Sequence, residues 1–179
     1  MKPYLLVLWN NFRLGVKKCR TVKLRFSPIE LLGWNTKICL APDSTVVLGD
    51  RLVSDGRLVI MVDWGAQLDI GSRVYFNENA MISCKKKISI GEGCKFGPNV
   101  VVIDNNHKFD AQNGVSDRHG IGEIEIGSNS WIGANVVILK GSKIGQNCVI
   151  GAGCVINGEI PDGTVVTQSR ELSMEQIRK

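Results

Sequence analysis

The sequence predicts an all-β protein wound as a parallel β-solenoid, and three observations carry that prediction. Ile126, Ile132, Ile138, Ile144, Ile150 and Ile156 follow one another at a spacing of six without a break. Four places after the first five stand Ser130, Val136, Ser142, Cys148 and Cys154, all small or apolar. Three places after them stand Asn129, Asn135, Gly141, Asn147 and Gly153, the residue types that tolerate positive φ. A period of six is neither the 3.6 of a helix nor the 2 of a long strand, so each hexad holds a short extended piece and a corner. Corners at that interval turn the chain through a polygon, and stacked coils bury one apolar column.

The same pattern runs less purely through the earlier half. Leu40 with Ser44, Ile70 with Val74, Phe76 with Ala80, Ile90 with Cys94 and Phe96 with Val100 all fit it. Between Ile82 and Ile90 the step is eight, so the Cys84 to Lys87 bend carries two extra residues. The solenoid is expected to run from about Ile38 to Val166. This divides the chain into a basic N-terminal segment or cap (1–36), a β-helix (37–166) and a C-terminal tail (167–179). The open ends of a solenoid are unpaired sheet edges, and the two terminal segments are the natural caps.

The register fails once. After Ile90, Phe96 and Val102 the next inward positions are Lys108, Gly114 and Gly120, and the period resumes at Ile124 and Ile126. The polar stretch 104–123 therefore reads as an irregular loop extruded from the coil, and such a loop inside a repeat is usually functional. Both histidines of the chain, His107 and His119, lie in it. His107 sits at its base with Asp104, Asn105 and Asp110 near in sequence, any of which could orient an imidazole.

Composition narrows the class. The chain has 179 residues, 44% hydrophobic and 22% charged, enough for one packed domain. Its net charge of +5 is uneven: Lys2, Arg13, Lys17, Lys18, Arg20, Lys23 and Arg25 precede the first acidic residue, Glu30. A basic end on a body without excess cations argues against nucleic-acid binding. Leu5, Leu8, Phe12, Val16 and Cys19 recur at helical spacing, so the basic end reads as an amphipathic helix. Two readings stand: a cap whose Leu5, Leu8 and Phe12 pack on the first coil, and a peripheral contact of residues 1–26 with an anionic membrane surface. The longest apolar run, Tyr4 to Trp9, is too short to span a bilayer. The six cysteines form no C-x-x-C pair, and Cys94, Cys148 and Cys154 fall at inward positions, so reduced thiols and a cytoplasmic location are expected, with no metal site.

The runs IGSNSWIGANVVILKGSKIGQNCVIGAGCVI and IGEGCKFGPNVVV resemble the hexapeptide-repeat acyltransferases, closest in motif to sugar O-acetyltransferases of the maltose, galactoside and polysaccharide types. The resemblance implies a left-handed parallel β-helix, a homotrimer, acetyl-CoA as donor, and a sugar or lipid-linked saccharide as acceptor in surface polysaccharide biosynthesis. It implies His107 as general base, the backbone N–H of Ala134 as oxyanion donor, and Asn79, Asp104 and Trp131 as substrate contacts. Coenzyme contacts are implied at Trp131, Ala134, Lys140, Gly151 and Ala152. The C-terminal run departs from the family pattern, with Gly158 where a Lys is usual, which leaves Lys140, Lys143 and Arg170 as substitute phosphate partners. A γ-carbonic anhydrase would need three histidines on a zinc, more than this chain holds. Asp117-Arg118-His119 is similar to a segment of serine O-acetyltransferases, but fewer than 40 residues precede the first hexad, too few for the helical domain of that group. A non-catalytic sugar-binding scaffold is the remaining alternative.

Overall fold

Every coil lays one strand on each of three faces, and the coils stack in parallel register. The structure, a computed structural model, describes residues 3–18 and 23–169. The first coil holds β1 (Lys23–Arg25), β2 (Leu31–Leu32) and β3 (Lys37–Leu40), the second β4 (Thr45–Leu48), β5 (Val53–Ser54) and β6 (Leu58–Val62). The third holds β7 (Gln67–Ile70), β8 (Tyr75–Phe76) and β9 (Ala80–Cys84), the fourth β10 (Lys87–Ile90), β11 (Lys95–Phe96) and β12 (Val101–Ile103). A hairpin of β13 (Asn105–Asp110) and β14 (Gly114–Ile121) follows. The fifth coil holds β15 (Ile124–Ile126), β16 (Trp131–Ile132) and β17 (Val137–Leu139), the sixth β18 (Lys143–Ile144), β19 (Val149–Ile150) and β20 (Val155–Ile156). The strands β21 (Glu159–Ile160) and β22 (Val165–Val166) begin a seventh. The first strand of every coil forms face A, the second face B and the third face C.

The hexad explains these faces residue by residue. Asn129, Asn135, Gly141, Asn147 and Gly153, the expected corners, all have positive φ, between 55° and 84°. Ile126, Ile132, Ile138, Ile144, Ile150 and Ile156 are all buried, as are Ser130, Val136, Ser142, Cys148 and Cys154. Cys94 is buried with them, while Cys39 is exposed. In the earlier coils Phe76 and Phe96 replace aliphatic residues and stack at 4.9 Å between ring centroids.

The solenoid starts earlier than the hexads suggest. Leu24 pairs with Val46 and Leu31 with Val53, so residues 23–32 form faces A and B of a first coil and are not a cap. Coil length explains the difference: 22 residues separate Leu24 from Val46, 20 separate Leu68 from Ile88, and 18 separate Ile126 from Ile144. Extra corner residues in the wide coils blur the six-residue period.

The cap proper is α1 (Pro3–Lys18), and it docks by the face opposite to the expected one. Its buried residues are Asn10 and Leu14, while Leu5, Leu8, Phe12 and Val16 stay exposed. The first coil leaves its edge carbonyls unpaired, and polar side chains of the helix satisfy them. Asn10 Nδ2 donates to the Glu30 and Leu32 carbonyls at 2.9 and 3.0 Å. Asn11 Nδ2 donates to Pro28 O at 2.8 Å, and Arg13 reaches Thr36 O at 3.0 Å. Burial pulls the Arg13 guanidinium down to about 10. Donors on the docking face win because an orphaned buried carbonyl costs more than an exposed leucine. Cys19, Arg20 and the tail beyond Ser169 lie outside the described residues.

Under the helix, Glu30 is 1% exposed; its Oε2 accepts from Leu52 N at 2.9 Å, and its Oε1 has no partner. Burial pushes this carboxyl up to about 8. A raised acid favours the protonated folded state, so the stability it contributes is full below about pH 4.5 and is lost as pH rises through about 8. Glu30→Gln should therefore stabilise the fold at neutral pH, on the order of 1–3 kcal/mol, and by less below pH 5. Urea denaturation at several pH values reads this directly, and a gain that does not grow with pH would contradict it.

Candidate active site

The break in the repeat is an ordered β-hairpin, which corrects the expectation of an irregular loop over 104–123. Asn105 pairs with Ile121, His107 with His119 and Phe109 with Val115, in an antiparallel ribbon with one irregularity between His107 and Phe109. Its tip is a three-residue loop, 111–113, followed by Gly114, whose φ of 69° is the left-handed conformation that closes the turn. Asp110 Oδ1 accepts from the amides of Asn113 and Gln112 at 2.7 and 2.9 Å, which hold that carboxyl below its ordinary range.

The stem is anchored by Asp104, which is fully buried. Its Oδ1 accepts from Lys85 N at 2.7 Å, and its Oδ2 from Lys86 N and Lys87 N at 2.7 and 3.0 Å. The Asp104 carbonyl takes the amide of Gly122 at 2.9 Å across the mouth of the hairpin. The Cys84 to Lys87 bend, with its two extra residues, thus forms the amide cradle for this carboxylate. Asp104 cannot meet a substrate; it is the foundation of the hairpin, which corrects its expected contact role. Burial, with that carboxylate beside it, also pushes the Cys84 thiol up, which disfavours the thiolate.

His107 is exposed, and its Nδ1 lies 3.0 Å from the Ser116 carbonyl. A carbonyl only accepts, so the proton belongs on Nδ1 and the Nε2 lone pair is left for chemistry. The His119 ring lies against it, 4.3 Å between centroids and tilted by 41°. His119 also bears on Asp63, whose carboxyl is held below its ordinary value chiefly by its bond with Lys85 and the Trp64 amide. The sequence singled out His107 but gave no sign of the Ser116 carbonyl, since a backbone acceptor leaves no residue signature.

The other expected site residues lie elsewhere on the prism. Ala134, Gly151 and Ala152 sit on the corner between faces B and C, and Asn79 is on the same corner two coils below Ala134, with φ of 59°. Trp131 stands on face B, 56% exposed. His107 and Lys140 are on the corner between faces C and A, where a Cβ on Gly120 would lie 3.8 Å from Lys140 Nζ. Face C, up to five residues or roughly 15 Å wide, separates the two corners. One chain therefore does not bring His107 and the Ala134 amide together. Among the described residues no group of three His, Cys, Asp or Glu side chains could hold a metal ion.

Residues 123–158 match the family model for the bacterial transferase hexapeptide (six repeats). The chain is a β-solenoid whose residues 123–158 carry the repeat that this model describes. It is 33% identical over 101 residues to the galactoside O-acetyltransferase of Lactococcus lactis, covering 56% of this chain and 49% of that protein. It is 29% identical over 128 residues to WbbJ of Escherichia coli, a putative lipopolysaccharide biosynthesis O-acetyl transferase, covering 66% of this chain and 61% of that one. Among solved structures, the hexapeptide-repeat acetyltransferase VCA0836 of Vibrio cholerae, crystallised with acetyl-coenzyme A, superposes with a TM-score of 0.58 at 26% identity, covering 69% of this chain and 64% of that chain. The chain spans about half the length of the first curated relatives it matches.

The anchoring of the hairpin makes a clean contrast between two variants. Asp104→Ala removes a buried carboxylate and orphans three part-buried amides, and should destabilise the fold by about 2–4 kcal/mol. His107→Ala removes an exposed ring and should change stability by no more than about 0.5 kcal/mol. Denaturant titration of the two variants checks both values.

Proposed function

We propose that this chain is an acetyl-CoA-dependent O-acetyltransferase acting on a sugar hydroxyl, working as a homotrimer with sites between subunits. The observation that carries the reading is the set of His107: an exposed imidazole at the base of a rigid hairpin, with its Nδ1–H engaged by the Ser116 carbonyl and Nε2 left as a base. The likeness to galactoside O-acetyltransferase and to the acetyl-coenzyme A complex of VCA0836 supports the reaction class.

In this reading a sugar hydroxyl gives its proton to His107 Nε2 as its oxygen attacks the thioester carbonyl. The tetrahedral oxyanion collapses, the C–S bond breaks, and the thiolate takes the proton back from the imidazolium. The oxyanion needs a preorganised donor, and the Ala134 N–H is the candidate. Ala134 lies a face away from His107 in its own chain, so the donor must come from a neighbouring copy. A flat-sided prism closing about a three-fold axis joins corner to corner in that manner. The corner bearing Ala134 suits the pantetheine arm: a Cβ on Gly133 would lie 2.8 Å from Ala152 N, so Gly133, Ala134 and Ala152 leave a smooth strip of backbone. Trp131 beside it offers an apolar wall, and Lys140 a cation for phosphate. Asn79 is the weaker acceptor contact, since its backbone is already committed to a corner. The acceptor is a saccharide of a surface polysaccharide, such as capsule, lipopolysaccharide or exopolysaccharide, modified on the cytoplasmic side of the membrane; the likeness to WbbJ supports this pathway.

His107→Ala should lose about 10²- to 10⁴-fold in turnover with acetyl-CoA and a responsive sugar, followed by thiol release. His119→Ala should lose far less, and equal losses would sink the assignment to His107 alone. Light scattering at micromolar concentration should report three times the 19.6 kDa of one chain, and a mass near one chain would overturn the shared site.

A further inference from the structure

The helix α1 carries apolar residues on both sides. On its docked side Asn10, Asn11 and Arg13 spend their donors on carbonyls of residues 28–36, flanked by the half-buried Leu6 and Val7 and the fully buried Leu14. Its outer side carries Leu5 at 47% exposure, Leu8 at 65%, Phe12 at 64% and Val16 at 48%, with Trp9 at the margin, its indole stacked on Trp34 at 5.5 Å. At 100° per residue these five fall within an arc of about 100°, opposite Asn10 and Leu14. A contiguous apolar patch of this kind on an exposed helix marks an interaction surface.

Its surroundings specify the partner. No acidic residue occurs in α1, and Lys17 and Lys18 close its last turn. Lys18 converges with Lys23 and Arg25 on one concavity, which has no acidic residue among its lining. Apolar side chains, a marginal indole and a cationic rim without counter-charges are what the headgroup layer of an anionic bilayer accepts. We propose that α1 lies in the plane of such a surface, its Leu8 and Phe12 side inserted and the Lys18, Lys23, Arg25 cluster on lipid phosphates. Membrane contact and capping are then opposite faces of one helix and do not compete. The inference stands on α1 and the first coil, independent of the acetyl-transfer reading.

Fixed geometry follows from the cap. The hairpin leaves the solenoid at the fourth coil, three strand spacings or about 14 Å above the first, and α1 adds roughly 10 Å. His107 would work about 25 Å from the lipid surface, within reach of a saccharide carried on a lipid but not of a lipid headgroup itself.

The test is co-sedimentation of the intact chain with vesicles of phosphatidylcholine alone and of phosphatidylcholine mixed with phosphatidylglycerol. Binding is expected to the mixed vesicles only and to be released by salt. The double variant Leu8→Glu, Phe12→Glu should lose at least about tenfold in binding, with its melting temperature and its turnover on a soluble acceptor unchanged. Replacing Lys18, Lys23 and Arg25 by Gln should cost about a hundredfold. The proposal fails if the intact chain ignores anionic vesicles, or if the double variant still binds them. It fails equally if the double variant falls to a smaller assembly by light scattering, because α1 is then a contact between copies. Vesicle binding in a chain that transfers no acetyl group would count against the proposed enzyme and leave this surface standing.

Discussion

The corner is the constraint on which the rest of this molecule depends. At most of the corners, as at Arg73, Asn79, Asn129 and Asn135, the backbone enters the left-handed region, a conformation that costs about 1 kcal/mol for most side chains and little for Asn or Gly. Corners also stack: a Cβ on Gly127 would lie 2.4 Å from Gln146 N, so the first corner position there admits no side chain. Asn99 Nδ2 donates to Asn135 Oδ1 at 3.1 Å, tying one corner to the next across the coils. Once corners are fixed, the inward column of Ile, Val and Leu follows, and so does the flatness of the three faces.

That constraint explains why so much of the fold was legible. The asparagines and glycines of residues 126–156 and the unbroken isoleucines are a direct transcript of corners and inner faces. Legibility decays toward the N-terminus because the coils widen. Arg51 and Arg73 take positive-φ positions there, a residue type that carries no corner signal. The hairpin was hidden for a different reason. Both of its faces meet water, so neither ribbon strand shows the alternation that a buried face imposes. One signal was present, Asn113-Gly114, a dipeptide at home in hairpin turns.

Two inferences from residue type were turned around by satisfaction of buried polar groups. Apolar spacing in α1 reads as a docking face, yet the open end of a solenoid offers carbonyls, and these select Asn10, Asn11 and Arg13. An aspartate beside a candidate base reads as part of the site, yet the amides of Lys85, Lys86 and Lys87 select it as an anchor. The bend between Ile82 and Ile90 and the departure of the hairpin some twenty residues later are therefore one structural unit, although the sequence shows them as separate irregularities.

The ladder does not register the hairpin at all. Ile88 pairs directly with Ile124, and Val102 with Ile138, as though nothing lay between. A segment inserted this way borrows its rigidity from Asp104 and returns almost no load to the coils. Its sequence is free to drift, lengthen or be exchanged while the scaffold keeps its melting behaviour, since loop closure grows only slowly with length. Such a chassis lets the exposed positions between Asn106 and Gly120 diversify without renegotiating the core.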